Sequence, residues 1–111
     1  MLKRIFHLSA MLLLVALPCV PQDGIRFVTG VVTDRKGNTI QGAAVQLENT
    51  ASLLVVSYIT GDDGRYRFNR LYGSVDYTLK AKYQCYWSKP KTLSKFDSRK
   101  QREVDLVIPI E

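Results

Sequence analysis

The sequence predicts an all-β protein, a seven-stranded antiparallel β-sandwich preceded by a signal peptide, and three observations carry that reading. Past residue 22, apolar residues recur with period two, turn-forming residues interrupt them roughly every eight to twelve positions, and no segment carries a helical stripe. The chain has 111 residues, 46% of them hydrophobic and 23% charged. That length suits one domain with a real core, and the balance is that of a globular protein.

The first element is a targeting segment. Lys3 and Arg4 precede an almost unbroken apolar run from Ile5 to Leu17, which Pro18 and Pro21 close. Such a run is shorter than the ~20 residues that cross a bilayer and has the n-region and h-region of a secretory signal. Residues 1–22 are therefore expected to direct export, to the periplasm or beyond the cell, with the folded domain at 26–111. Cys19 offers a second reading, a lipid anchor that would hold the protein to a membrane through its N-terminus. Against it, Pro18 stands where that signal wants a small residue.

The strands follow in order. Val28, Gly30 and Val32 alternate with Thr29, Val31 and Thr33, and Asp34-Arg35-Lys36-Gly37-Asn38 turns the chain. Ala43, Val45 and Leu47 give a second strand, and Leu53 to Thr60, rich in β-branched and aromatic residues, a third. Asp62-Asp63-Gly64 is a tight turn in which glycine takes positive φ, and Tyr66 and Phe68 then share one face of a fourth strand. Val75, Tyr77, Leu79, Ala81 and Tyr83 alternate with Asp76, Thr78, Lys80 and Lys82 in a fifth. Tyr86 to Lys89 re-enters the sheet before Pro90, Lys91 to Arg102 is a basic loop, and Val104, Leu106 and Ile108 form the last strand, with Pro109 confining it to an edge or a strand end.

Gly30-Val31-Val32-Thr33-Asp34, Gly37 and Gly42-Ala43-Ala44-Val45-Gln46-Leu47, followed by Thr60-Gly61-Asp62-Asp63-Gly64-Arg65-Tyr66-Arg67-Phe68, Leu71, Gly73 and Tyr77-Thr78-Leu79-Lys80-Ala81, resemble the carboxypeptidase regulatory-like domain family. The resemblance runs from about Phe27 to Ile108. It implies a prealbumin-like (transthyretin-like) Greek key whose members serve as accessory modules in secreted and envelope proteins. Three places depart from the family pattern: Gly61 at a position often Asp or Asn, Gly73-Ser74-Val75-Asp76-Tyr77 without the usual proline, and Cys85-Tyr86 in place of a frequent Gly-Tyr pair.

Function classes narrow by residue type. His7 is the only histidine and falls within residues 1–22, so the domain lacks the ligands of a zinc peptidase site and the base of a His-assisted nucleophile. Glu48, Asp76, Glu103 and Asp105 read as solvated strand or loop carboxylates, and Asp62-Asp63 as a turn without calcium-loop spacing. The expectation is a non-catalytic chain with no cofactor, no metal and no catalytic residue. Cys85 is expected to be a small buried hydrophobe.

The net charge is +6, and between Lys80 and Arg102 eight Lys or Arg residues meet only Asp97. An exported chain without a recognition motif is not expected to bind nucleic acid, so this reads as a solvated basic face with weak attraction for an anionic membrane surface or polysaccharide. The expected function is binding of a protein partner or structural support in the cell envelope, through an open sheet edge. A carbohydrate-binding domain is the alternative, with Tyr72, Tyr86 and Trp87 as a stacking platform for an envelope glycan. In the competing reading of the aromatics, Tyr83 fills the core and Trp87 covers a sheet edge. Oligomeric state is not legible from sequence.

Overall fold

A computed structural model describes residues 24–111; the predicted signal peptide and Cys19 lie outside the described residues. Within them the chain forms β1 (Ile25–Thr33), β2 (Ala44–Asn49), β3 (Val55–Ile59), β4 (Arg65–Tyr72), β5 (Tyr77–Tyr83), β6 (Tyr86–Trp87), β7 (Lys91–Leu93), β8 (Gln101–Glu103) and β9 (Leu106–Val107). One sheet has the order β4-β1-β8, with β9 also on β1; the other has the order β3-β2-β5-β6, with β7 also on β5.

The nine segments reduce to seven lines, as the sequence predicts, but the stretch expected to be a basic loop, Lys91 to Arg102, begins and ends in strand: β7 extends the β6 line along β5, and β8 starts the last line along β1. β6 and β7 lie along the same edge of β5 as one strand interrupted at Ser88-Lys89-Pro90. Ser88 bridges the gap, its N–H donating to the Ala81 carbonyl and its Oγ accepting from the Ala81 N–H, both at 2.8 Å. β8 and β9 likewise form one line along β1, broken at Val104-Asp105, where the Asp105 carboxylate accepts the Val31 N–H at 3.0 Å. Here the architecture departs from a purely antiparallel one: this last line runs parallel to β1. The segment after β7 crosses from one sheet to the other and so reaches β1 from its own starting end.

The core lies between the sheets and comes from the period-two pattern. Val28 and Val32 of β1, Tyr66 and Phe68 of β4, Leu106 and Ile108 face Val45 and Leu47 of β2, Tyr77, Leu79 and Ala81 of β5, and Leu93. At Gly30 an added Cβ would sit 2.6 Å from the Tyr66 ring, so only glycine lets that ring cross β1 and donate its hydroxyl to the Val104 carbonyl. Burial of this phenol pushes its pKa well above the usual tyrosine value.

Two features escape the simple alternation. Arg70, at φ 60°, makes a bulge that places one extra residue of β4 opposite β1 between Val28 and Arg26, which returns Leu71 to the core side. Arg26 shares the parity of Val28 and is itself buried. Its Nη1 donates to the carbonyls of Ser94 (2.8 Å) and Asp97 (3.2 Å), and its Nη2 to those of Tyr72 (3.2 Å) and Val75 (2.9 Å). One guanidinium thus ties the β4–β5 turn to the loop after β7.

Cys85 corrects an expectation. With Gln84 it forms the two-residue turn joining Tyr83 to Tyr86, Gln84 at φ 57°, and its thiol is exposed. A hairpin tip has no opposing sheet to cover it, which outweighs the general tendency of cysteine to be buried.

Candidate functional site

A sandwich of two open sheets has four edges, and their protection differs. The outer edge of β4 carries Arg65, Arg67 and Arg70; β8 carries Arg102 and Glu103, and Pro109 follows β9; the β6–β7 line is broken by Ser88 and Pro90 and flanked by Lys89 and Lys91. Charges, prolines and interruptions of this kind stop a strand edge from recruiting other strands. β3 has none of them. From Leu53 to Thr60 the chain holds no charged residue, proline or glycine, and every residue of β3 is exposed.

The geometry of β3 follows from its partner. Asn49 N–H donates to the Leu54 carbonyl and Thr60 N–H to the Ala43 carbonyl, both at 2.9 Å, so even-numbered residues turn their backbone groups toward β2. Val55, Ser57 and Ile59 therefore point N–H and C=O away from the sheet, along an edge with no neighbouring strand among the described residues. Side chains alternate as well. Val56 and Tyr58 stand opposite Leu47 and Val45 on the inner side, where the Tyr58 ring meets Phe68 edge-on at 6.1 Å, while Val55, Ser57 and Ile59 lie on the outer face. Val55 is 49% exposed, Val56 51% and Ile59 60%. The result is a row of unpaired backbone groups flanked on both faces by apolar side chains.

The aromatic residues singled out in the sequence do not assemble into one platform. Trp87 stands opposite Lys82, on the outer face of its sheet, whereas Tyr86 stands opposite Tyr83, on the core side. Tyr72 ends β4 in the other sheet, opposite Ile25. All three are exposed, but adjacent residues of a strand point to opposite faces, so Tyr86 and Trp87 cannot offer one plane. Of the competing reading, Tyr83 packs against the core while partly exposed, and Trp87 lies on the outer face of the edge strand β6.

Trp87 has different company. Lys80 Nζ lies 4.6 Å from its ring centroid and Lys82 Nζ 5.4 Å, as two cations over an aromatic face. The ring borders a cleft of about 510 Å³ that Arg35, Lys89, Lys91, Val107 and Pro109 complete. That lining has cations and apolar surface and no carboxylate. Elsewhere in the basic segment Asp97 is engaged by Arg99 and Arg102; hydrogen bonds from the Arg99 side chain and backbone N–H, reinforced by Arg102, hold its carboxyl below the usual carboxylate range.

Sequence reasoning located the third strand but missed that it is uncovered, and it missed Arg26 altogether. The signals were present: Leu53–Thr60 lacks the polar alternation of a half-solvated strand, and Arg26 lies two residues before Val28 on the dry parity.

Solved structures place the fold among known proteins. A Pseudomonas aeruginosa protein proposed to bind carbohydrate superposes with a TM-score of 0.54 at 16% identity, over 80% of this chain and 92% of its own. Catechol 1,2-dioxygenase from Acinetobacter sp. ADP1 gives a TM-score of 0.58 at 10% identity, over 83% of this chain and 54% of the enzyme. The pilus 2b backbone protein of group B streptococcus gives 0.54 at 18% identity, over 79% of this chain and 42% of the pilin. At these identities the likeness concerns the fold, which serves both catalytic and non-catalytic proteins. Comparison with curated protein sequences yields no match. The sequence model of the carboxypeptidase regulatory-like domain matches residues 28–108, and the chain belongs to that family.

Proposed function

We propose that this protein is a non-catalytic, exported module of the bacterial cell envelope that binds a protein partner, or joins a structural assembly, by adding a strand to β3. The observation that carries this reading is the contrast between β3, uncharged and uninterrupted, and three edges that bear charges, prolines or breaks. Strand addition uses the outward N–H and C=O groups of Val55, Ser57 and Ile59 for affinity and the alternating side chains for selectivity. The charged start and apolar run of residues 1–17 support export. The lack of any histidine past His7 supports a binding role over acid–base or nucleophilic chemistry.

A photo-crosslinking residue placed at Ser57, compared with one at Thr92 on the protected β7 edge, tests this in the cells that make the protein. Protein adducts from position 57 and not from 92 are expected. Equal adducts from both positions, or none from 57, would overturn the reading.

A second reading rests on the Trp87 cleft. An aromatic face with Lys80 and Lys82 over it, beside Arg35, Lys89 and Lys91, suits a sugar that carries carboxylate or sulfate groups. Retention on an immobilised acidic polysaccharide should fall at least tenfold in Trp87→Ala. Retention that survives the substitution removes the site.

A further inference from the structure

We infer that the strand received by β3 is β3 of a second copy of this chain, paired antiparallel about a two-fold axis at Ser57. This deepens the strand-addition reading above and rests on it.

The argument begins with the spacing of the free groups. Val55, Ser57 and Ile59 point their N–H and C=O outward, and a two-fold axis through Ser57 sets Ser57 opposite Ser57 and Val55 opposite Ile59 of the second copy. In that register every outward-facing residue of β3 joins a hydrogen-bonded pair that exchanges both bonds. Moving the axis to Val56 or to Tyr58 leaves one of the three outside the strand-to-strand pairing. The register is therefore selected by the strand itself.

Side chains agree with the backbone. On the outer face, Val55 meets Ile59 of the second copy and the two Ser57 side chains meet each other. On the inner side, Val56 meets Tyr58 of the second copy. An aromatic against a β-branched residue and two β-branched residues side by side are favourable cross-strand pairs, and serine on the axis avoids crowding. Charge also permits the contact. The chain carries +6 overall, yet Leu53–Thr60 contributes nothing to it, so two copies can approach here without opposing like charges at the joint. On β4 or the β6–β7 line, self-pairing would bring arginines or lysines together.

The area is small. Leu53, Leu54, Val55, Val56, Tyr58 and Ile59 range from 41% to 69% exposed. Large apolar side chains present roughly 150–200 Å² each when free, so these offer about 600 Å² per copy. Even complete coverage of these side chains on two copies amounts to at most about 1,200 Å², which reaches only the lower bound of a specific interface. The expected product is a dimer of moderate affinity with one sheet continuous through both copies, in which β3 is no longer an edge.

Sedimentation of the purified protein from micromolar to several hundred micromolar is expected to show a monomer–dimer equilibrium. Ser57→Lys places two ammonium groups opposite each other at the axis and should weaken the dimer at least tenfold, without shifting the thermal melt of the monomer, since Ser57 is exposed. In a background with Cys19 and Cys85 replaced by serine, Ser57→Cys should form a disulfide-linked dimer on mild oxidation, whereas Thr92→Cys should not. A wild type that stays monomeric throughout, a dimer indifferent to Ser57→Lys, or equal oxidation at positions 57 and 92 overturns self-pairing. The two readings separate by adduct mass in the cellular crosslinking: an adduct from position 57 to a different polypeptide, with a monomeric purified chain, removes only the second copy. No adduct from 57 removes strand addition itself.

Discussion

Replacing Arg26 probes how this small sandwich holds its loops. Arg26 is 3% exposed, and its guanidinium donates to four carbonyls, those of Tyr72 and Val75 at the end of β4 and in the turn to β5, and of Ser94 and Asp97 after β7. A hydrogen bond from a charged donor contributes roughly 1.5–3 kcal/mol against its unmade state, which would sum to about 6–12 kcal/mol if nothing opposed it. Two terms oppose it. Taking the cation out of water costs several kcal/mol, and Nε, buried with no partner, adds to that cost. In Arg26→Met the desolvation cost is relieved and the carbonyls reach water as the loops open, so the net loss should be about 2–4 kcal/mol. Arg26→Lys keeps the charge, but three ammonium hydrogens on one atom cannot span four carbonyls on two segments, and about 1–3 kcal/mol should be lost. Urea unfolding followed by the fluorescence of Trp87, the only tryptophan, reads both variants. A loss below about 0.5 kcal/mol for methionine, or a lysine variant equal to wild type, would refute the claim that this one side chain fixes the two loops.

Gly30→Ala should cost about 3 kcal/mol or more in the same assay, because its Cβ would meet the Tyr66 ring and the Val104 carbonyl, neither of which can move without disturbing the core. Tyr66→Phe keeps the ring and removes the donor to Val104; a loss of about 1–2 kcal/mol is expected by thermal unfolding, and no loss would mean that carbonyl finds water. Asp97 gives a pH signature. Because its folded pKa is depressed by Arg99 and then Arg102, its contribution is present above the ordinary carboxylate pKa of ~4 and drains away as pH falls below it. The protection of amides in residues 94–103, taken relative to the intrinsic exchange rate at each pH, should fall between about pH 4 and pH 2 in the wild type and already be low at neutral pH in Asp97→Ala. Cys85 should react with a soluble thiol reagent in the folded protein at a rate within tenfold of a free thiol; a protected thiol would contradict its exposed place in the β5–β6 turn.

How much of this was legible in the sequence depends on whether the signal is local. The strands of the core were readable because one face is dry and the other wet, as in Tyr77–Tyr83, and glycine at Gly37 and Gly64 marked turns that need positive φ. Topology was less accessible. The parallel pairing of β8 and β9 with β1 depends on where the chain goes between Leu93 and Gln101, and a basic loop carries no pattern that says. The Arg70 bulge and the Ser88 interruption are single-residue events that follow from pairing across strands and not from composition. For the candidate site, the sequence located β3 as a strand, but an unbroken apolar run normally signals burial on both faces. β3 instead lies at an edge, with Val56 and Tyr58 on the core side still half exposed and its outer side unpaired. The aromatic platform failed for a reason the sequence did contain: Tyr86 and Trp87 are neighbours on a strand, and neighbours face opposite ways.

The central claim, that β3 is the edge through which this domain engages protein, is tested most directly by residue-resolved amide exchange on the dilute chain and on the form assembled in the cell. In the dilute chain Val56 and Tyr58, bonded to β2, should exchange slowly, while Val55, Ser57 and Ile59 should exchange at close to the rate of a free strand. In the assembled form the three odd-numbered amides should slow by at least tenfold, with the β7 edge unchanged. Protection that appears along β7 while Val55, Ser57 and Ile59 stay fast would contradict the account.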